Sequence, residues 1–174
     1  MIKRFLFNLF PLKSHSDLNI NYSRIYSIAS SLKPVDQKNP ISKVEELKTV
    51  NIKMRRFVVL GFEWCEENLG KRKVDCTLKI NYTYSRTRGT YLYYDKMFVI
   101  RVWDNQKLID LVETIVHEYV HYLQFKSERF YLKSVKLRDK LGYENNPFEI
   151  EARIIADKLK DVCLNSLMAK IEAH

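Results

Sequence analysis

The chain has 174 residues, of which 46% are hydrophobic and 29% charged, and it carries only four glycines and four prolines. This composition is typical of a globular protein with a sizeable core and argues against long disordered linkers. The formal net charge of +9 favours contact with something acidic, such as nucleic acid, an anionic membrane or an acidic protein. A solvated basic surface without a specific partner explains the same charge equally well.

The three cysteines, Cys65, Cys76 and Cys163, are far apart in the sequence and never form a CxxC pair. They therefore indicate neither a disulfide framework nor a cysteine zinc site, and they fit a reducing compartment. No stretch approaches the length of a transmembrane helix, and the short apolar run over residues 5–12 lacks a small-residue cleavage site. We expect a cytoplasmic protein.

The first elements predicted along the chain are helices. Apolar residues at helical spacing follow Asp17 and continue to about residue 33, just before a proline. A second helical pattern runs over residues 42–69, with a possible break near residues 49–51. Gly70 is a natural stop for this helix, because glycine tolerates the backbone conformation in which helices commonly end. These helices carry no obvious chemistry and are expected to form core and scaffold.

The hydrophobic pattern then changes from helical spacing to alternation. Three strands are predicted over residues 74–84, 90–94 and 96–103, all rich in aromatic and β-branched side chains. Residues 86–89 read as one turn and Asp95 marks another, tighter turn. Since the strands follow one another closely, the simplest arrangement is a three-stranded antiparallel meander.

Most of the net charge lies on this predicted sheet. Residues 71–101 contain eight lysines and arginines against two aspartates. The tyrosines interleaved with these charges could stack on the bases of single-stranded nucleic acid; they are Tyr82, Tyr84, Tyr91, Tyr93 and Tyr94. We favour the simpler explanation that the basic side chains cover a solvent face and protect an edge strand from aggregation.

A helix is predicted next, from Leu108 to Phe125, with Asp104 or Asn105 as its cap. The residues expected to form its buried face are Leu108, Leu111, Val112, Ile115, Val116, Tyr119, Val120 and Leu123. Embedded in this apolar pattern is the pentapeptide from His117 to His121. Burying its two imidazoles and its carboxylate without partners would cost several kcal/mol, on the order of 2–7 for each neutral group.

The pentapeptide His117-Glu118-Tyr119-Val120-His121 has the HExxH form. Histidines four residues apart lie on one face of a helix and can direct both imidazoles at a single zinc ion. Glu118 lies one residue further round the helix, where it can act as general base without being a ligand. Two partly buried histidines that bond to neighbours are the alternative. We favour metal binding because HExxH arises by chance in such a composition in well under roughly 1% of chains.

The third ligand of a catalytic zinc is expected downstream, because such sites usually have three protein ligands and one open position. A basic, helical stretch over residues 126–141 leads to a final helix from Pro147 to about residue 171, capped by Asn146. Its first turn contains Glu149 and Glu151. Both acids also suit a helix start, and periodicity does not choose between them because they flank the apolar stripe on opposite sides.

The HExxH helix followed by Glu149-Ile150-Glu151-Ala152 resembles the gluzincin metallopeptidases in their minimal form. The closest comparison is with ImmA/IrrE-like domains and with mini-gluzincins of phage and bacterial genomes, and it covers roughly residues 71–161. The resemblance implies that Glu149, in an E-x-x-A pattern, is the third ligand of one zinc ion per chain. It also implies that the substrate lies extended along a sheet edge beside the helix.

The function implied is a zinc-dependent metallopeptidase that hydrolyses peptide bonds in a protein or peptide substrate. Glu118 would activate the zinc-bound water and return the proton to the leaving amine. Tyr143 is the first candidate donor to the developing oxyanion, and Gln124 could line the cleft or cap a neighbour. The alternative is a non-catalytic zinc-containing module whose basic sheet binds nucleic acid or an acidic protein partner.

Two features depart from the relatives. In many of them an aspartate or asparagine directly follows the alanine of the E-x-x-A pattern and orients a zinc-binding histidine. This chain has Arg153 at that position, where it is free to pair with Glu149 or Glu118. The support of the histidines is therefore unassigned. SprT-like proteases usually use a third histidine, and here only His174 follows His121.

Taken together, the sequence predicts an α+β fold. Its parts are N-terminal helices, a small antiparallel three-stranded sheet, the HExxH helix and a C-terminal helix carrying the third ligand. Residues 1–48 are expected to form an N-terminal helical extension, and residues 49–174 the metallopeptidase-like domain, in one compact unit.

Overall fold

The computed structural model describes Ser27, residues 43–44 and residues 53–173. The fold is α+β, as predicted. The elements in chain order are α1 (Met54–Asn68), β1 (Thr77–Tyr82), β2 (Gly89–Leu92), β3 (Met97–Val102), α2 (Leu108–Gln124), α3 (Glu128–Leu141) and α4 (Pro147–Glu172). The predicted helix over residues 17–33 and the extension 1–48 lie outside the described residues, apart from Ser27 and residues 43–44.

Helix α2 is the centre of the fold. It packs most extensively against α4 and also contacts α1, β2 and β3. All eight residues predicted for its apolar face are buried, which confirms the helical spacing read from the sequence. Because neighbours surround α2, its polar residues are also enclosed. Glu118, His121 and Gln124 are each at most 6% exposed.

The start of α2 differs from the prediction. The N-cap residue is Lys107, and no side chain caps the helix. Asp104 and Asn105 lie in a turn closed by a bond from the Gln106 N–H to the Trp103 carbonyl, 3.0 Å long. Lys107 also pairs with Lys43 in an isolated antiparallel bridge, so Lys43 does not belong to the helix predicted from residue 42.

The sheet is mixed, and the predicted antiparallel meander is wrong. The strand order is β1-β3-β2, with β2 antiparallel and β1 parallel to β3. Strands β2 and β3 do form the expected hairpin, whose turn contains Lys96 at φ 48°. Strand β1 joins the far side of β3 because Leu78 and Ile80 pack against the same core from that position. Among the described strands, β2 is therefore an edge, and it lies beside α2.

The inner face of the sheet packs on α2 through aromatic rings. Phe98 of β3 stacks on Tyr119 with ring centroids 6.3 Å apart, and it also contacts Phe62 of α1 at 4.5 Å. Helix α1 ends at Asn68, and Gly70 follows with φ 140°, as expected for the predicted stop. The Tyr119 hydroxyl donates to the Gly70 carbonyl, which holds this end of α1 against α2.

Helix α4 brings its first turn to the HExxH region of α2. It starts at Pro147, and the Asn146 side chain accepts a hydrogen bond from the Phe148 N–H, so the predicted cap is confirmed. The helix is 26 residues long and stays in contact with α2 and α1. Within the described part of the chain, no helix has the length and apolar character needed to cross a membrane.

Candidate metal centre

Three side chains with metal-binding atoms converge where α4 crosses α2. The Nε2 atoms of His117 and His121 are 3.0 Å apart, because four residues along a helix bring them onto one face. The Oε2 atom of Glu149 lies 3.3 Å from His117 Nε2 and 3.2 Å from His121 Nε2. The structure thus brings Glu149, rather than Glu151, to the two histidines.

This donor set fits zinc. Tetrahedral zinc with bonds of about 2.0–2.1 Å keeps its ligand atoms about 3.3 Å apart, close to the three separations found here. Two imidazole nitrogens and one carboxylate oxygen are also the donor chemistry of catalytic zinc sites. Among the described residues, His117, His121 and Glu149 form a group that could hold a metal ion.

The electrostatics of the three groups stabilise the ionised carboxylate. Burial alone would raise the pKa of Glu149, but hydrogen bonds to His117 and His121 hold it well below its usual range. Burial lowers the pKa of His121, but its bond and charge interaction with Glu149 leave that pKa raised overall. Glu149 is therefore available as an anionic ligand at neutral pH.

Glu118 lies beside this group but faces strand β2. Its carboxylate accepts a hydrogen bond from the Tyr91 backbone N–H. Burial raises the pKa of Glu118, and the nearby histidines only partly oppose that effect. A carboxylate whose pKa is raised toward neutrality is better suited to take and return a proton.

Gly89 lies against Glu118, a position that the sequence pattern does not assign to the site. The pattern predicts a turn at Gly89, but the residue begins β2 and is buried against α2. A Cβ atom there would lie 2.6 Å from Thr114 Cγ2 and 2.9 Å from Glu118 Oε1. A glycine at the border of a predicted strand was the available signal, because it often marks close approach of another element.

Gln124 supplies the histidine support that the sequence leaves unassigned. Its Oε1 atom lies 2.8 Å from His121 Nδ1. Its Nε2 atom donates to the Phe148 carbonyl at 3.0 Å and to Glu151 Oε2 at 2.8 Å. Burial raises the pKa of Glu151 to about 7. Glu151 therefore contacts Gln124, which supports His121, whereas Glu149 contacts His121 itself.

Two further predicted residues lie at the edge of the site. The Tyr143 hydroxyl forms a hydrogen bond with Glu149, although half of the residue is exposed. Its role as oxyanion donor stays a prediction. Arg153 pairs with Glu144 rather than with the carboxylates of Glu149 or Glu118, and its Nε atom lies 3.4 Å from the Glu149 carbonyl oxygen.

The three converging side chains open into a cleft of about 740 Å³ between β2, α2 and α3. Its lining includes Arg86 and Arg88, which precede β2, and Arg138 of α3. It also includes aromatic rings: Phe125 stacks on His121 with centroids 5.4 Å apart, and Tyr131 contacts both Phe125 and Tyr93.

The tyrosines of the basic sheet do not form one exposed platform. Tyr91 is buried in the core, and Tyr93 stacks on Tyr131. Tyr82, Tyr84 and Tyr94 are exposed, and Tyr84 packs edge-on against Trp103. Of the five tyrosines that could stack on bases, only these three are exposed, and nucleic-acid binding stays the less favoured explanation.

No protein-family model, curated protein or solved structure matches this chain. The chemistry of the site is therefore the guide to function. Two imidazoles and a carboxylate can hold a metal ion, and a buried glutamate beside them can move a proton.

Proposed function

We propose that this protein is a zinc-dependent metallopeptidase of the gluzincin type. The observation that carries the proposal is the convergence of His117, His121 and Glu149, with Glu118 buried beside them. A structural zinc site has no need of that neighbouring glutamate, whereas hydrolysis needs a general base. All four side chains line one open cleft.

Each residue has a defined role in the proposal. His117, His121 and Glu149 would hold one Zn²⁺ ion per chain. Bound zinc supplies Lewis acidity and lowers the pKa of water toward about 7. Glu118 accepts the proton of the attacking water and then delivers it to the leaving amine. The Tyr91 N–H holds the Glu118 carboxylate in place for both transfers.

The substrate proposed is a peptide in extended conformation. Among the described strands, β2 pairs on one side only, so its other edge borders the cleft and can bond to a peptide backbone. The cleft lining offers two kinds of contact to such a peptide. Arg86 and Arg88 suit acidic side chains, and the aromatic rings beside His121 suit large apolar side chains.

The alternative is a non-catalytic zinc-containing module whose basic sheet binds nucleic acid or an acidic protein. Lys79 and Tyr82 on β1 are exposed and would be available for such contacts. The packing of Tyr91 and Tyr93 weighs against it, because stacking on bases requires free ring faces. The buried carboxylate of Glu118 would also have no use in such a module.

The test combines metal content with cleavage. We expect close to one zinc per chain by plasma mass spectrometry, lost in His117→Ala and Glu149→Ala and kept in Glu118→Gln. A fluorogenic library that includes acidic and aromatic sequences should be cleaved by wild type and about 100-fold or more slower by Glu118→Gln. Zinc without cleavage, combined with salt-sensitive binding to DNA, would support the alternative.

A further inference from the structure

We propose that Gln124 and Glu151 are positioning residues of the metal centre, which together set the tautomer and orientation of His121. The inference rests on the proposed metal site but not on peptide cleavage. It assigns a role to Glu151, the second acid of α4, which contacts Gln124 of α2 but is not one of the three candidate ligands. In the resembled families an aspartate or asparagine supports a zinc-binding histidine from the position that Arg153 has here. We assign that supporting role to Gln124 instead.

The hydrogen bond at His121 determines which ring nitrogen faces the metal. A glutamine carbonyl oxygen only accepts, so His121 must carry its proton on Nδ1 to bond to Gln124 Oε1 at 2.8 Å. With Nδ1 protonated, Nε2 is the ring nitrogen that can give up its proton and present a lone pair to a metal ion. That is the atom lying 3.0 Å from His117 Nε2 and 3.2 Å from Glu149 Oε2.

The orientation of the Gln124 amide is itself fixed by its other partners. The NH₂ group has two hydrogens, and two acceptors lie within reach, the Phe148 carbonyl at 3.0 Å and Glu151 Oε2 at 2.8 Å. Turning the amide over would place its oxygen against both acceptors and its NH₂ against the Nδ1–H of His121. The bonds are buried, with Gln124 at 0% and Glu151 at 3% exposure.

The same bonds connect the two ligand-bearing helices. Gln124 follows His121 by three residues on α2, while Phe148 and Glu151 lie on either side of Glu149 near the start of α4. Holding Gln124 against α4 therefore sets His121 and Glu149 relative to each other. Partners of metal-binding histidines typically change metal affinity by about 10–100-fold when they are removed.

Metal affinity, measured with a competing chelator, tests the proposal without any substrate. We expect Gln124→Met, which keeps the length of the side chain but cannot bond to His121, to weaken zinc binding about 10–100-fold. Glu151→Leu should also weaken it, while Glu151→Gln should bind like wild type because its carbonyl oxygen can still accept from Gln124. Circular dichroism and thermal unfolding of the metal-free proteins identify variants that fail to fold.

A measurement on wild type keeps the test independent of these variants. In ¹⁵N NMR of the zinc-loaded protein, we expect His121 to carry a slowly exchanging proton on Nδ1. A proton on Nε2, or unchanged zinc affinity in a folded Gln124→Met protein, would overturn the inference. Zinc binding with these properties but no cleavage of any peptide would overturn the proposed peptidase function and leave this inference standing.

Discussion

At Gly89, the backbone of β2 leaves no room for a side chain beside Glu118, the candidate base. The Cβ of any other residue would meet Thr114 Cγ2 and the carboxylate of Glu118, both closer than carbon and oxygen atoms normally approach. Either β2 or Glu118 would have to move. Because the Tyr91 N–H two residues later bonds to Glu118, a shift of β2 also disturbs the bond that orients this carboxylate.

Gly89→Ala should therefore impair the site as well as the fold. We expect a loss of about 1–3 kcal/mol in the free energy of unfolding and a fall of about 100-fold in kcat/KM. Adding Thr114→Ser removes the methyl group 2.6 Å from the new Cβ, keeps the bond to the Asp110 carbonyl, and should recover part of the stability. Urea unfolding and peptidase assays measure the two effects.

The control for this substitution is Gly142→Ala. No atom lies within 4 Å of the position a Cβ would take there, so the only cost is the backbone, at φ 81°. We expect a loss of about 1–3 kcal/mol in the free energy of unfolding and unchanged kcat/KM. Equal activity in Gly89→Ala and Gly142→Ala would contradict the importance of the contact between β2 and Glu118.

Among the elements, α4 depends on one buried residue, Asn146, for the position of its first turn. The Asn146 side chain caps the Phe148 N–H at 3.2 Å, and its Nδ2 atom donates to both the carbonyl and the hydroxyl oxygen of Ser134 in α3. Asn146 is only 1% exposed. One side chain therefore sets where α4 begins and how it sits on α3, and Glu149 follows within one turn.

Asn146→Ala should destabilise the protein by about 2–4 kcal/mol, because it removes a helix cap and leaves buried acceptors on Ser134 without their partner. Asn145→Ala is the matched control, since Asn145 is exposed and bonds only to the Leu141 carbonyl among the contacts described. We expect that change to cost at most about 0.5 kcal/mol. Similar urea midpoints for the two variants would contradict this account of α4.

On the scale of the whole molecule, the candidate ligands connect two helices that are far apart in the chain. His117 and His121 belong to α2, and Glu149 to α4, which packs along α2 over much of its length. A metal ion held by all three would bind the folded state and not the unfolded chain. Zinc is therefore expected to stabilise the entire domain rather than one loop.

Zinc at 100 times its Kd should add about 2.7 kcal/mol to the free energy of unfolding. For a chain of this size, that corresponds to a rise in Tm of about 5–10 °C, reversed by a chelator. Glu118→Gln should keep the rise, because Glu118 lies outside the ligand group, and His117→Ala should lose it. A zinc-induced rise in His117→Ala as large as in wild type would place the metal elsewhere.

The local parts of this structure were predictable from the sequence alone. The apolar spacing of α2, the Asn146-Pro147 start of α4 and the stop at Gly70 each depend on residues within a few positions of one another. For the same reason, the helical placement of His117 and His121 on one face followed directly from their separation. Hydrophobic periodicity and helix capping depend only on residues close together in the chain, so they can be recognised in the sequence.

Only the tertiary structure decided the rest. Alternation in β1 states which side chains face the core but not which strand is its neighbour, so pairing with β3 in parallel was not predictable. Glu149 and Glu151 suit a helix start equally well, and they point roughly 160° apart. The packing of α4 on α2 alone therefore brings Glu149 to the histidines and Glu151 to Gln124. Contacts between residues distant in sequence depend on how the elements pack, and the local pattern does not encode that packing.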